Sequence, residues 1–415
     1  MDKDNNKAVY LDHAASAPLE ANVLKAMKKF LTVNGANPSA LHKEGMEAKM
    51  AVEKARESVM RILGAQKEEI IFTSGGTESN NLAILGVIRS LTSKMPHIVT
   101  TNIEHPSVLE VCRHLENIKK AQVTYVPVEE NGIVDPRKIK EAIKKNTVLV
   151  SVMYANNEIG TIQPIMEIAK EIRHYRKINN SKYPYFHTDA TQAMNYLPVK
   201  VDKLGIDLLS FNGSKIYGPK GIGVLYKKRN CKLEPIMWGG DQEFGLKPGT
   251  ENVAGIVGIS RTLEITEEIK EKESKRLTKL RDYFIKQLSR RSLDSKIKIN
   301  GDLEKRLPNN VNISVKGIES DLLVIELDAR GIAVSSKSAC QSDGPDESYV
   351  IAALRSQTSG AAPRPAKPWR SGGSLTSPSE EGSVRFSLGR NTNKADIDYT
   401  LKALSSILAK LKKWS

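Results

Sequence analysis

Apolar and polar positions divide the chain into two textures. Up to about residue 253, apolar residues recur at helical spacing over 19–33, 46–63, 106–118 and 164–178. Between these stretches lie short apolar runs at 70–73, 97–101, 148–153, 185–188 and 208–211, which read as strands. Strands that alternate with helices predict an α/β fold with a mainly parallel central sheet and helices on both faces. Beyond that point comes a long charged helix over 256–291. Short strands at 297–300, 311–315, 333–335 and 384–388 follow, with helices at 322–328, 348–354 and 394–411. This second texture predicts a smaller α+β domain. The division assigns 17–253 to a large domain, and 1–16 with 254–415 to a small one.

Polar residues gather where the strands end. The run at 70–73 passes into Ser74-Gly75-Gly76-Thr77 and then into good helix formers. Glycines let a backbone approach an anion, and a helix N-terminus offers free N–H groups and a positive dipole end. This stretch therefore reads as a phosphate cradle, distinct from a Walker A loop or a dinucleotide fingerprint. The next strand ends at Glu104-His105, and the following ones at Asn156-Asn157-Glu158 and at Asp189-Ala190-Thr191-Gln192. The last ends at Asn212-Gly213-Ser214-Lys215 before a Gly/Pro-rich loop. In open α/β sheets ligands sit at the carboxyl edge of the strands. Lys215 is either a surface lysine beside a turn or, partly desolvated at that edge, a Schiff-base lysine.

Composition narrows the class. No apolar run approaches the roughly 20 residues of a membrane span. The polar residues 1–7 lack the apolar core of a signal peptide. Both features point to the cytoplasm. The net charge is +15, from 63 basic and 48 acidic residues. The lysines are spread over helices without interleaved aromatics, so they read as a solvated surface, and direct nucleic-acid binding is not expected. The three cysteines, Cys112, Cys231 and Cys340, lack paired spacing, so neither a disulfide framework nor a metal site is predicted. Cys112 reads as a packing residue. Cys340 is followed by the polar run Gln341-Ser342-Asp343, which argues against burial of its thiol. His42 reads as a helix cap or a surface histidine. Residues 355–378 hold four prolines, five serines, three glycines, four basic residues and no acid. They form a low-complexity insertion that either contacts a partner or arises from a local frameshift.

Taken together the motifs resemble the cysteine desulfurases, pyridoxal-phosphate enzymes of the class V aminotransferase family, and among them the long-loop branch. The resemblance runs from Tyr10-Leu11-Asp12 to the last helix. It rests on Asn37-Pro38-Ser39, Thr73-Ser74-Gly75-Gly76-Thr77-Glu78-Ser79, Glu104-His105, Asn156-Asn157-Glu158-Ile159-Gly160, Asp189-Ala190-Thr191-Gln192, Lys215-Ile216-Tyr217-Gly218-Pro219-Lys220-Gly221, Pro248-Gly249-Thr250, Ser338-Ala339-Cys340 and Val384-Arg385-Phe386-Ser387-Leu388-Gly389-Arg390. It implies the aspartate-aminotransferase-like fold type I and pyridoxal 5'-phosphate held covalently by Lys215. Asp189 is implied at the pyridine nitrogen, Gln192 and Asn157 at the ring oxygen, and His105 on the ring face. Gly76, Thr77, Asn212 and Ser214 are implied at the phosphate. Thr250 is implied to reach the phosphate of a second subunit, hence a homodimer. Arg385 is implied at the substrate carboxylate, with Asn157 beside it.

The implied reaction converts L-cysteine to L-alanine. Lys215 moves the Cα proton, and the Cys340 thiolate takes the sulfur as a persulfide. An acceptor protein for iron–sulfur clusters or tRNA thiolation receives it. A selenocysteine lyase-like reaction and a degenerate scaffold are the alternatives. The chain departs from the family pattern at Asn212 and Ser214, where serine and histidine are usual. It departs again at Lys247, in place of an arginine, and at Lys337, in place of a glycine.

Overall fold

The computed structural model describes residues 8–92, 95–290, 297–336, 348–356 and 381–411. Cys340, Lys337 and residues 357–378 of the insertion lie outside the described residues. In chain order the strands are β1 (Val9–Tyr10), β2 (Ile70–Thr73), β3 (His97–Thr101), β4 (Gln122–Val126), β5 (Thr147–Ser151), β6 (Tyr185–Asp189), β7 (Leu208–Asn212), β8 (Gly223–Lys227), β9 (Ile297–Ile299), β10 (Asn310–Lys316), β11 (Ile332–Ala333) and β12 (Glu381–Ser387). The helices are α1 (Ala21–Thr32), α2 (Lys43–Leu63), α3 (Gly76–Arg89), α4 (Pro106–Asn117), α5 (Pro136–Ala142), α6 (Ile165–Ile178), α7 (Val201–Leu204), α8 (Val253–Arg290), α9 (Ser320–Asp328), α10 (Tyr349–Ser356) and α11 (Lys394–Leu411).

Seven strands form one sheet in the order β2-β8-β7-β6-β5-β3-β4. All run parallel except β8, which is antiparallel to both β2 and β7. The carboxyl ends of β2, β3, β5, β6 and β7 therefore share one edge. Side chains alternate between two faces, and each face has its own core. Ile70, Phe72, Val150, Phe186 and Leu209 pack with α2, α6 and the start of α8. Ile71, Ile98, Leu149, Tyr185 and Leu208 pack with α3 and α4. Cys112 and Cys231 are buried in the second core, which fits the packing role expected of Cys112. Burial on both faces explains why these strands read as unbroken apolar runs.

Two further strands complete the sheet beyond the five expected. β4 is one of the two edge strands and is largely half-exposed, so its apolar signal is weak. β8 begins at a glycine directly after the Gly/Pro-rich loop, which hides its start.

A third apolar cluster surrounds the antiparallel sheet β12-β10-β9. Val311, Ile313 and Val315 meet Phe284 and Leu288 of α8, Leu323 of α9 and Leu404 of α11 there. The two-stranded parallel pair β1-β11 joins the N-terminal residues to this cluster. His42 caps α2, its side chain accepting from Gly45 N. No helix among the described residues is long and apolar enough to cross a membrane.

Candidate active site

The sheet edge collects the polar residues that follow each strand. Asp189, the last residue of β6, is buried there. Its Oδ2 accepts from Asn80 Nδ2 at 2.7 Å and its Oδ1 from Thr191 N at 2.9 Å. Asn80 Nδ2 also donates to Ser107 Oγ at 2.8 Å. The Ser107 hydroxyl reaches His105 Nδ1 at 2.8 Å, and Ser107 N donates to the same nitrogen at 3.2 Å. A backbone N–H can only donate, so Nδ1 is the acceptor and neutral His105 carries its proton on Nε2. Burial lowers the His105 pKa; the Asp189 charge opposes this and the Lys215 charge adds to it. A polar chain Asp189–Asn80–Ser107–His105 thus fixes the ring and its tautomer.

Lys215 follows β7 in a tight turn. Asn212 Oδ1 accepts from Ser214 Oγ at 3.1 Å and from Lys215 N at 3.3 Å, which shapes that turn. Asn195 Nδ2 holds the Lys215 carbonyl at 2.8 Å. The Lys215 ammonium donates to the carbonyl of Ala15, and Gln192 Nε2 donates to the carbonyl of Ala14 at 3.1 Å. The N-terminal segment therefore lies across both residues.

The Gly75-Gly76 turn opens α3. It lines one cavity of about 430 Å³ with Thr77, Asn212, Ser214 and Lys220. A Cβ on Gly76 would lie 3.0 Å from Asn212 Nδ2 and 3.4 Å from Thr191 Oγ1, so two donors face the turn at close range. A Cβ on Gly223 would meet the Gly75 backbone at 2.6 Å, so β8 must carry glycine where the cradle rests on it.

Asn157 and Arg385 meet on the far side. Arg385 is 2% exposed; its Nη1 donates to Asn157 O at 2.9 Å and its Nη2 to Asp12 Oδ1 at 2.7 Å. Asn157 Oδ1 and Arg385 Nε are buried without a hydrogen-bond partner among the described residues. Glu104 is fully buried beside this edge. Its Oε1 accepts from Thr101 Oγ1 at 2.7 Å and Met153 N at 2.9 Å. Burial, augmented by the Asp189 charge, pushes its carboxyl up to about 8 despite those two bonds.

The edge thus unites Gly76, Thr77, His105, Asn157, Asp189, Gln192, Asn212, Ser214, Lys215 and Arg385. Thr250 is exposed on the single chain, and Cys340 lies outside the described residues. Sequence reasoning assigned no role to Asp12, Asn80, Ser107 or Thr191. Their one signal was position: Asp12 stands two residues past β1, Ser107 two past His105 and Thr191 two past Asp189, and Asn80 directly follows the motif that closes at Ser79.

The donor set fits a phosphorylated pyridine. A glycine cradle at a helix N-terminus suits the phosphate, an acid at the end of β6 suits a ring nitrogen, and an amine stands in the turn after the neighbouring strand. The unpartnered Asn157 Oδ1 marks polar capacity that the protein itself leaves unused.

The aminotransferase class-V family matches the chain over residues 9–400. A protein named cysteine desulfurase IscS from Dictyoglomus turgidum is 44% identical over 406 residues, spanning 98% of this chain and 96% of its own. One of the same name from Methanosarcina thermophila is 41% identical over 410 residues, spanning 99% and 94%. The solved structure of a NifS-like protein superposes with a TM-score of 0.83 at 34% identity, covering 97% of this chain and 100% of its own. A structure described as SspA in complex with cysteine gives a TM-score of 0.71 at 32% identity, covering 92% and 98%.

Proposed function

The chain belongs to the class-V aminotransferase family, and we propose that it works as a cysteine desulfurase. It converts L-cysteine to L-alanine and passes the sulfur to an acceptor protein for iron–sulfur cluster assembly or tRNA thiolation. The observation that carries this reading is the convergence of Lys215, Asp189, His105 and the Gly75-Gly76 cradle on one sheet edge. The near full-length likeness to proteins named cysteine desulfurase supports it, and the cysteine complex of a structural relative supports the substrate.

Pyridoxal 5'-phosphate, when bound, supplies an electron sink conjugated to the substrate amine. The first-turn N–H groups of α3, with Thr77, Asn212 and Ser214, would hold its phosphate. Asp189, oriented by Asn80 and Thr191, would keep the ring nitrogen protonated. Gln192, Asn157 and His105 would hold the ring. The Lys215 amine would take the substrate Cα proton. Arg385 meets the substrate carboxylate, its fork held by Asp12 and the Asn157 carbonyl.

Cys340 attacks the substrate sulfur as a thiolate. The Sγ–S bond forms as the Cβ–S bond breaks. The released electron pair stays with Cβ, which takes a proton and becomes the methyl group of alanine. An ordinary thiol, with pKa about 8.5, is mostly protonated at pH 7, so its proton must leave before the attack. The working unit is a homodimer in which Thr250 reaches across. Its exposure, with that of Trp238 at 77% and Leu41 at 93%, supports this.

A single turnover with L-cysteine tests the reading. Alanine and a persulfide on Cys340, both absent in Cys340→Ser, are expected. Alanine formed at the wild-type rate by Cys340→Ser overturns it.

A further inference from the structure

Residues 337–347 contain Cys340, and the residues on either side of them are fastened to the active site. On the N-terminal side, Ser335 and Arg385 exchange backbone hydrogen bonds, Arg385 N to Ser335 O at 2.7 Å and Ser335 N to Arg385 O at 3.4 Å. Ser383 Oγ donates to Ser336 O at 3.2 Å. On the C-terminal side two hydroxyls make the attachment. Ser348 opens α10, accepting from Val350 N at 3.1 Å and Ile351 N at 3.3 Å, and its hydroxyl donates to the Glu158 carboxylate. Tyr349 OH donates to the Glu104 carbonyl at 2.6 Å. Behind them Val350, Ile351 and Leu354 are buried in the core of the large sheet.

The two acceptors precede and follow groups already placed in the site. Glu104 adjoins His105, and Glu158 adjoins Asn157. The two turns are themselves joined, because Asn156 Nδ2 donates to Ile103 O at 3.0 Å and Met153 N to Glu104 Oε1 at 2.9 Å. Arg385, His105 and Asn157 thus frame both attachments.

We infer that Tyr349 and Ser348 are positioning residues for sulfur transfer: their hydroxyls register the base of the Cys340 segment on the Glu104-His105 and Asn157-Glu158 turns. The inference rests on the reading of Cys340 as the nucleophile. It separates two parts of the reaction. Proton movement at Cα depends on Lys215, which neither hydroxyl contacts among the hydrogen bonds of the described residues. Attack on sulfur depends on where Cys340 is delivered, and a misplacement of an ångström costs up to about a hundredfold in rate.

The experiment uses the holoenzyme and two readouts. Exchange of the Cα hydrogen of L-alanine in D₂O reports Lys215 without Cys340. Mass spectrometry of rapidly quenched samples with L-cysteine reports persulfide on Cys340. Tyr349→Phe keeps the ring and removes only the hydroxyl, and Ser348→Ala is the second variant. Each is expected to exchange L-alanine within about twofold of wild type and to form persulfide about tenfold more slowly, the scale of one lost hydrogen bond. An unchanged persulfide rate in both variants overturns the inference, as does a parallel fall in exchange and persulfide formation. A wild-type enzyme that forms alanine without persulfide on Cys340 overturns the underlying reading instead.

Discussion

Asp12 and Arg385 form an ion pair at 2.7 Å, the arginine buried and the aspartate partly exposed, and the Arg385 guanidinium is set by it and by the Asn157 carbonyl. The pair holds the fork at a fixed angle beside the site. Asp12→Asn keeps the shape and removes the charge that orients the fork. We expect KM for L-cysteine to rise about tenfold with kcat little changed, the signature of lost uniform binding. Steady-state alanine formation checks this.

The cradle depends on bare backbone at Gly223. In Gly223→Ala the new methyl meets Gly75 at 2.6 Å, and the cradle must shift. The far side of β8 is untouched, so the fold should persist by circular dichroism. The dissociation constant for pyridoxal 5'-phosphate, titrated into apoprotein, is expected to rise about tenfold, a loss of ~1.4 kcal/mol.

Glu104 makes stability depend on pH. Burial raises its pKa to about 8, above the ordinary carboxyl value. Between those values the unfolded chain loses the proton and the native state keeps it, so this carboxyl makes the native state less stable as pH rises. Glu104→Gln mimics the protonated form. Its Tm relative to wild type is expected to increase from pH 5 to pH 8. Calorimetry at several pH values checks the sign, and a difference independent of pH contradicts it.

Arg56 and Glu243 are joined by two hydrogen bonds of 2.7 and 2.9 Å, both side chains buried. Glu243 also accepts from Phe72 N at 2.8 Å, and it adopts a left-handed backbone with φ of 49°. Removing the carboxylate takes away both Arg56 bonds and leaves the buried guanidinium only Ile70 O and, at 3.9 Å, Glu53 as polar partners among the described residues. Glu243→Ala is expected to cost about 3–5 kcal/mol in a denaturant titration.

Much of the site was legible because each polar motif directly follows an apolar run, so Asp189 and Lys215 could be placed at strand ends from local pattern alone. The elements that escaped lack that contrast. β4 is half-exposed, and α7 is a single turn of four residues. Long-range partnerships were invisible for a different reason. Asp12 meets Arg385 across 373 positions, and Asn80 meets Asp189 across 109. Periodicity reports which face a residue takes, and it carries no information on which distant side chain shares that face. The backbone attachments at Ser335 and the hydroxyl attachments at Ser348 and Tyr349 belong to the same class.

The N-terminal segment has a consequence for biosynthesis. At about 5–20 residues per second a ribosome makes Asp12 and Arg385 roughly 20–75 s apart. For most of that interval β1 has no β11 beside it, and Ala14 N waits still longer for the Ser387 hydroxyl that it finally contacts at 2.9 Å. The large sheet has all its strands once β8 emerges, long before. A nascent chain therefore acquires the cradle early and Arg385 late, and the proposed site is complete only after Arg385 has been made.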